Sequence, residues 1–159
     1  MIVRTGQSAD ALEIATFWAP LIRETTITFT NQVKTPDMVE EMIAQRQEAF
    51  IVAETEGSVV GFATFDGFRN GPGYARTSEL SINLSDAARG KGIGRALIAE
   101  LEERAREAGV HVLVAGISGD NATGLAFHAS LGFKEVGRMP EVGRKFDRWL
   151  DLVLMQKIL

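Results

Sequence analysis

Arg89-Gly90-Lys91-Gly92-Ile93-Gly94 separates a strand-like segment, Ser78-Glu-Leu-Ser-Ile-Asn-Leu84, from a helix-like one, Arg95 to Ala108. A strand that passes through three closely spaced glycines into a helix turns main-chain N–H groups toward an anion. The glycines let the backbone approach without a Cβ in the way, and the helix start adds partial positive charge. Arg89 and Lys91 contribute mobile cationic heads. The segment reads as a cradle for a diphosphate. It does not fit a dinucleotide turn, because Arg95 stands where G-x-G-x-x-G needs its third glycine. The next strand-like run, His111 to Ile117, carries no acid for a ribose. Nor does it fit a nucleotide P-loop, since Lys91 is followed by Gly92 rather than Ser or Thr.

The rest of the chain bounds the answer. A length of 159 residues implies one domain, 1–159, with 45% hydrophobic and 24% charged residues as in an ordinary globule. The net charge of −4 gives no broad basic footprint, so nucleic acid is not expected as a partner. There are no cysteines and only two histidines, which removes disulfides and thiolate chemistry and makes a metal site unexpected. No apolar run approaches the roughly 18 residues of a membrane span and the N-terminus lacks a leader pattern, so a cytoplasmic protein without a membrane partner is expected.

Working outward, Met1–Arg4 reads as a strand. Ser8 can cap a helix over Ala9 to about Arg23, with Pro20 expected to kink or end it near Ala19. Thr25–Thr30 reads as a loop or extended segment, and Thr35-Pro36 as a helix start. Phe50–Glu54 and Val59–Phe65 form a hairpin across Glu56-Gly57-Ser58, followed by a loop over Asp66–Gly73 and a long strand over Tyr74–Leu84. After the glycine loop, Glu100/Arg104 and Glu102/Arg106 read as outward pairs on a helix ended by Gly109. His111–Ile117 is a strand covered on both faces. A helix over Asn121–Leu131 and strands over Phe133–Arg138 and Trp149–Ile158 complete an α/β domain around a mixed sheet.

Three motifs extend the reading. The glycine loop resembles the R/Q-x-x-G-x-G/A pyrophosphate loop of GNAT-type N-acetyltransferases. Asn121-Ala-Thr-Gly-Leu-Ala-Phe-His128-Ala-Ser-Leu-Gly132-Phe133 resembles their N-x-x-S/A-x-x-L-H/Y-x-x-x-G-F motif. Gly143-Arg-Lys145-Phe-Asp-Arg-Trp149-Leu-Asp151 is similar to the G-x-K-x-x-x-W-x-D ending of the phosphinothricin acetyltransferase branch, which also acylates methionine sulfone, methionine sulfoximine and related amino acids. The resemblance covers nearly the whole chain. It implies a splayed sheet with helices on both faces, acetyl-CoA as cosubstrate, a small amino-acid-like acceptor whose α-amine is acetylated, and a homodimer; the alternatives are a non-catalytic CoA-binding sensor module and a protein or peptide N-acetyltransferase.

The resemblance also assigns residues. Glu79 would be the general base, acting through water, the alternative being a structural pair with Arg76 or Arg69. His128 would be the general acid or a donor to the sulfur, the alternative being a half-buried helix histidine with a backbone partner. Cofactor contacts would come from Ser81, Ile82 and Asn83 on the strand, from Arg89, Gly90, Lys91, Gly92, Ile93 and Gly94, and from Asn121, which also suits a helix cap. Arg69 would clamp the substrate carboxylate with a guanidinium fork, helped by Gly71, Pro72 and Gly73, and Phe29 would line the substrate pocket with Phe146 and Trp149. Gly71 stands where the branch often has a second arginine, which removes a cation for an anionic side group.

Overall fold

The computed structural model describes all residues 1–159. Seven strands form one sheet in the order β1-β2-β3-β4-β5-β7-β6. They are β1 (Ile2–Thr5), β2 (Phe50–Thr55), β3 (Ser58–Gly67), β4 (Thr77–Leu84), β5 (Val112–Ser118), β6 (Lys134–Lys145) and β7 (Arg148–Ile158). Every neighbouring pair is antiparallel except β4 and β5. Helices α1 (Ala11–Glu24) and α2 (Pro36–Arg46) cover one face; α3 (Ile93–Glu107) and α4 (Ala122–Ser130) cover the other.

Two cores follow from that layering. Under α1 and α2, Phe62 lies fully buried, stacked on Phe50 at 5.2 Å between ring centres and met edge-on by Trp18 at 4.9 Å. Under α3, Leu97, Ile98, Leu101 and Ala105 pack on Ile51, Ala53, Leu80 and Leu113. Alternation along β4 sends Leu80, Ile82 and Leu84 toward α3 and Glu79, Ser81 and Asn83 to the α1 side.

Local chemistry explains most boundaries. Thr35 Oγ1 accepts the N–H of Met38 at 3.2 Å, with Pro36 in the first turn of α2. Glu56 and Gly57, at φ +52° and +82°, close the β2–β3 hairpin. Other boundaries differ from the expectation. Helix α1 runs through Pro20 to Glu24, because Leu21 and Ile22 are buried beyond it and their packing outweighs one lost hydrogen bond. Gln7, not Ser8, precedes the first helical turn, and its N–H donates to Asp10 Oδ2 at 2.7 Å. Strand β4 begins only at Thr77, since Pro72–Tyr74 form a 3₁₀ turn. Glu102 is buried rather than outward: Lys157 arrives from β7 and donates to its Oε1 at 2.7 Å. Strand β6 runs seven residues past Arg138, through a bulge that holds Pro140 and Glu141 on the edge of the sheet.

The Phe62 cluster makes a direct test of this core. Truncation by Phe62→Ala empties the centre of the three-ring contact and should cost about 3–5 kcal/mol in urea unfolding; a loss below about 1 kcal/mol would mean that the rings are not packed as described.

Candidate functional site

Strands β4 and β5 pair only from Thr77 to Leu80 and from Val112 to Ala115. Beyond that point β4 continues with β3 to Leu84, and β5 continues with β7 to Ser118. The two strands therefore part, and from Ser81 onward the β5-facing edge of β4 has no strand partner. Two cavities occupy the opening, one of about 410 Å³ at the glycine loop and one of about 270 Å³ on the α1 side. They share Ile27, Ile82, Asn83, Asn121 and His128 in their walls, so they adjoin across the gap.

The larger cavity is built for an anion. Gly90 and Gly92 adopt φ +73° and +78°, and a Cβ at either would meet nothing within 4 Å, so both face open space. Gly92 is the residue before α3 and provides no side-chain cap. The N–H groups of Ile93, Gly94 and Arg95 in the first turn thus have no acceptor within the helix. Arg89 and Arg95 line the cavity, whereas Lys91 is exposed and lies outside its wall. All three cationic residues are exposed, and Arg89 and Arg95 are the two that reach the cavity wall. Gly94 has a different task, since a Cβ there would approach the Phe127 ring to 3.1 Å. It lets α3 and α4 close over the loop.

Asn121 caps α4, its Oδ1 accepting the N–H of Gly124 at 2.9 Å, and also lines both cavities. Gly124, which replaces a serine of the motif, makes room for this cap; a Cβ there would lie 2.4 Å from Asn121 Nδ2. His128 is buried between the edges of Phe127 and Phe133. Its Nδ1 lies 2.8 Å from the carbonyl oxygen of Gly124, which can only accept, so Nδ1 carries the hydrogen. Burial lowers the ring's pKa and the Gly124 bond opposes that only in part. The neutral ring then presents Nε2 as an acceptor, and that atom is enclosed without a partner. The donor role expected for His128 conflicts with this tautomer.

Glu79 forms no ion pair and no hydrogen bond, so pairing with Arg69 or Arg76 does not occur. Its side chain points to the α1 side beside Gly116, a wall residue of the smaller cavity; the Cβ position of Gly116 lies 3.7 Å from Glu79 Oε1. Partial loss of hydration pushes the carboxyl above its ordinary range. Glu79 itself is exposed and lies outside both cavity walls, whereas Ser81 and Asn83, on the same side of β4, line the smaller cavity.

The expected substrate clamp is not assembled within one chain. Arg69, Gly71, Pro72 and Gly73 lie on an exposed loop outside both cavities, and the Arg69 guanidinium rests 5.5 Å over the Tyr74 ring. Phe29 packs on Gly143 and does not line a cavity; its neighbours Ile27, Thr28 and Thr30 do. Phe146 and Trp149 are exposed, and Trp149 stacks under Arg144 at 4.4 Å. Of this loop the sequence points to Phe29, whereas the residues at the cavity wall are its neighbours Ile27, Thr28 and Thr30, joined by Trp18, because only the fold brings α1 and that loop to the gap.

A half-opened mixed sheet, with a glycine-lined helix start at one side of the gap and an unpaired carboxylate beside a wall residue of the cavity on the other, defines a transferase that uses an anionic group carrier. The match of residues 3–154 to the acetyltransferase (GNAT) domain model shows that the chain belongs to the GNAT acetyltransferase family. It is 37% identical over 159 residues to the L-amino acid N-acyltransferase MnaT of Escherichia coli, covering 98% of this chain and 92% of that one. It is 36% identical over 159 residues to the L-methionine sulfoximine/L-methionine sulfone acetyltransferase of Salmonella typhimurium, covering 98% and 93%. Among solved structures, the ribosomal-protein-alanine N-acetyltransferase of Brucella melitensis superposes with a TM-score of 0.95 at 41% identity over 100% of both chains. The acetyltransferase yncA of Salmonella typhimurium with its cofactor acetyl-CoA superposes at 0.93 and 36% identity, covering 99% and 93%.

The cradle can be tested on its own. Gly92→Ala should fold with about 1–2 kcal/mol of backbone strain yet lower coenzyme A affinity by about ten-fold or more, as one lost charge-assisted hydrogen bond requires. Titration calorimetry showing unchanged affinity would remove Gly92 from the site.

Proposed function

We propose that the chain transfers an acetyl group from acetyl-CoA to the α-amine of a small amino acid or analogue of the methionine sulfone or sulfoximine kind. The observation that carries this reading is that the two cavities adjoin at the β4–β5 gap and share five wall residues. A carrier held at the glycine loop delivers its far end to the smaller cavity, next to Glu79. The names of the Escherichia coli and Salmonella relatives support the acceptor class. The name of the Brucella structure suggests a protein N-terminus instead, but an acceptor cavity of about 270 Å³ walled by residues 27–30 favours a free amino acid.

The residues divide the work as follows. N–H groups of residues 90–95 with Arg89 and Arg95 hold the diphosphate, and the free edge of Ser81–Leu84 pairs with the amides of the pantetheine arm as an added strand. Acetyl-CoA supplies an activated acyl group and a thiolate leaving group. An acceptor amine arrives as an ammonium, and Glu79 takes its proton through a water. The raised pKa narrows the gap between this carboxylate and the amine. A thiol is acidic enough that its anion departs without an obligate donor. His128, neutral and bonded to Gly124, then serves to fix the start of α4 and with it Asn121.

A homodimer is part of the same proposal. Val136, Met139, Val142, Phe146 and Trp149 expose apolar surface along the β6–β7 arm, more than a lone surface hairpin needs. Sedimentation should give a species of twice the chain mass; a monomer at micromolar concentration would contradict it.

Glu79→Gln tests the chemistry. Turnover with methionine sulfone should fall by about 10²–10⁴-fold while coenzyme A affinity is kept. The variant should be no less stable at neutral pH, because it removes a charge that folding dehydrates. For the native chain, activity should decline as pH falls through the raised Glu79 pKa, since the carboxylate is the working form. Full activity in the variant, or no transfer to any amino acid by the native chain, would overturn the reading.

A further inference from the structure

The Gly143–Asp151 segment carries the motif most particular to this chain's branch, yet none of its side chains lines either cavity. Its residues act on the loop between α1 and α2 instead. Lys145 is 4% exposed and has no ionic partner. Its Nζ donates to the carbonyl oxygen of Thr28 at 2.7 Å and lies 3.1 Å from Thr28 Oγ1. Two residues earlier, the Phe29 ring rests directly on Gly143; any Cβ there would lie 2.7 Å from the ring. Asp151 holds the bulge that aims this strand, its Oδ1 accepting the N–H of Glu141 at 3.0 Å and its Oδ2 accepting from Arg138 at 3.3 Å.

The loop so gripped is a wall of the acceptor cavity. Ile27, Thr28 and Thr30 line it. The loop's own anchoring is local, through Thr25 Oγ1, which donates to Leu21 O at 2.5 Å and accepts the N–H of Ile27 at 3.2 Å. Further along, Thr28 Oγ1 donates to Thr30 O at 3.3 Å and Thr30 Oγ1 accepts the N–H of Gln32 at 3.0 Å, whereas the hydrogen bonds that join the loop's middle to a distant strand come from Lys145. An ammonium that gives up its hydration must recover it from these two hydrogen bonds, which makes the position of Thr28 exacting. Burial without an anion also lowers the Lys145 pKa.

We propose that Lys145 is a positioning residue, which by gripping Thr28 across the fold holds the 25–30 loop as the wall of the acceptor cavity. It sets acceptor recognition without touching the substrate. This rests on the acceptor cavity assigned above.

Lys145→Met keeps the aliphatic stem and removes both hydrogen bonds. Steady-state kinetics should show the acceptor KM raised by about ten-fold or more, with the acetyl-CoA KM and coenzyme A affinity unchanged. Hydrogen–deuterium exchange should accelerate over residues 25–34 and not over α3. Lys145→Gln, whose amide can still donate to the Thr28 carbonyl, should recover part of the acceptor KM. If Lys145→Met does not fold, the comparison moves to Lys145→Gln and Thr28→Val, each of which should raise the acceptor KM alone. Unchanged exchange over 25–34, or acceptor and acetyl-CoA KM values that rise together, would overturn the proposal. Absence of turnover in the native chain would instead strike the functional reading, and exchange would still decide the role of Lys145.

Discussion

The parting of β4 from β5 after Leu80 and Ala115 is the constraint on which the rest depends. A continuous sheet would satisfy its main-chain groups internally and present no cleft at its centre. Here the ladder stops midway, and each strand keeps its other neighbour to the end. Rigidity is preserved while one strand edge is left for a ligand. The glycine loop must follow, because β4 runs directly into it and α3 returns across the sheet from its far side. The acid on β4 must lie at the other mouth, because residues 79, 81 and 83 share one side of a strand.

What surrounds the gap can be understood as support for it. Helix α4 closes one side, and its start is fixed twice, by Asn121 from within and by His128 through Gly124. The opposite side is closed by a loop without regular structure, and the edge strand β6 reaches back to secure it through Gly143 and Lys145. Elements distant in sequence thus meet at the gap from both sides of the sheet.

Which of these features the sequence disclosed follows from how each is encoded. Gly90 and Gly92 were legible because left-handed backbone at an open cradle permits little else. The Asn121 cap and the Thr35-Pro36 start were legible for the same reason: both are local chemistry. Pairing across the fold was not. Lys91 lies in the loop before α3 and Arg95 in its first turn, and which of them reaches the cavity wall depends on how the loop enters the helix. The strand that buries Glu102 against Lys157 comes 55 residues later. Pro20 suggested a helix end because its packing partners are not visible in a linear pattern. The 69–73 loop was assigned to the substrate through a resemblance, and in one chain it stands apart from both cavities. The Gly143–Asp151 motif reads as a signature in the linear sequence, but the Thr28 that its Lys145 grips lies 117 residues earlier.

The most direct test of this account is a crystal structure of the chain with coenzyme A. The account predicts the diphosphate against the main chain of residues 90–95 and the pantetheine arm lying along Ser81–Leu84 between β4 and β5. A carrier bound elsewhere, or a β4–β5 ladder that continues unbroken past Leu80, would contradict it.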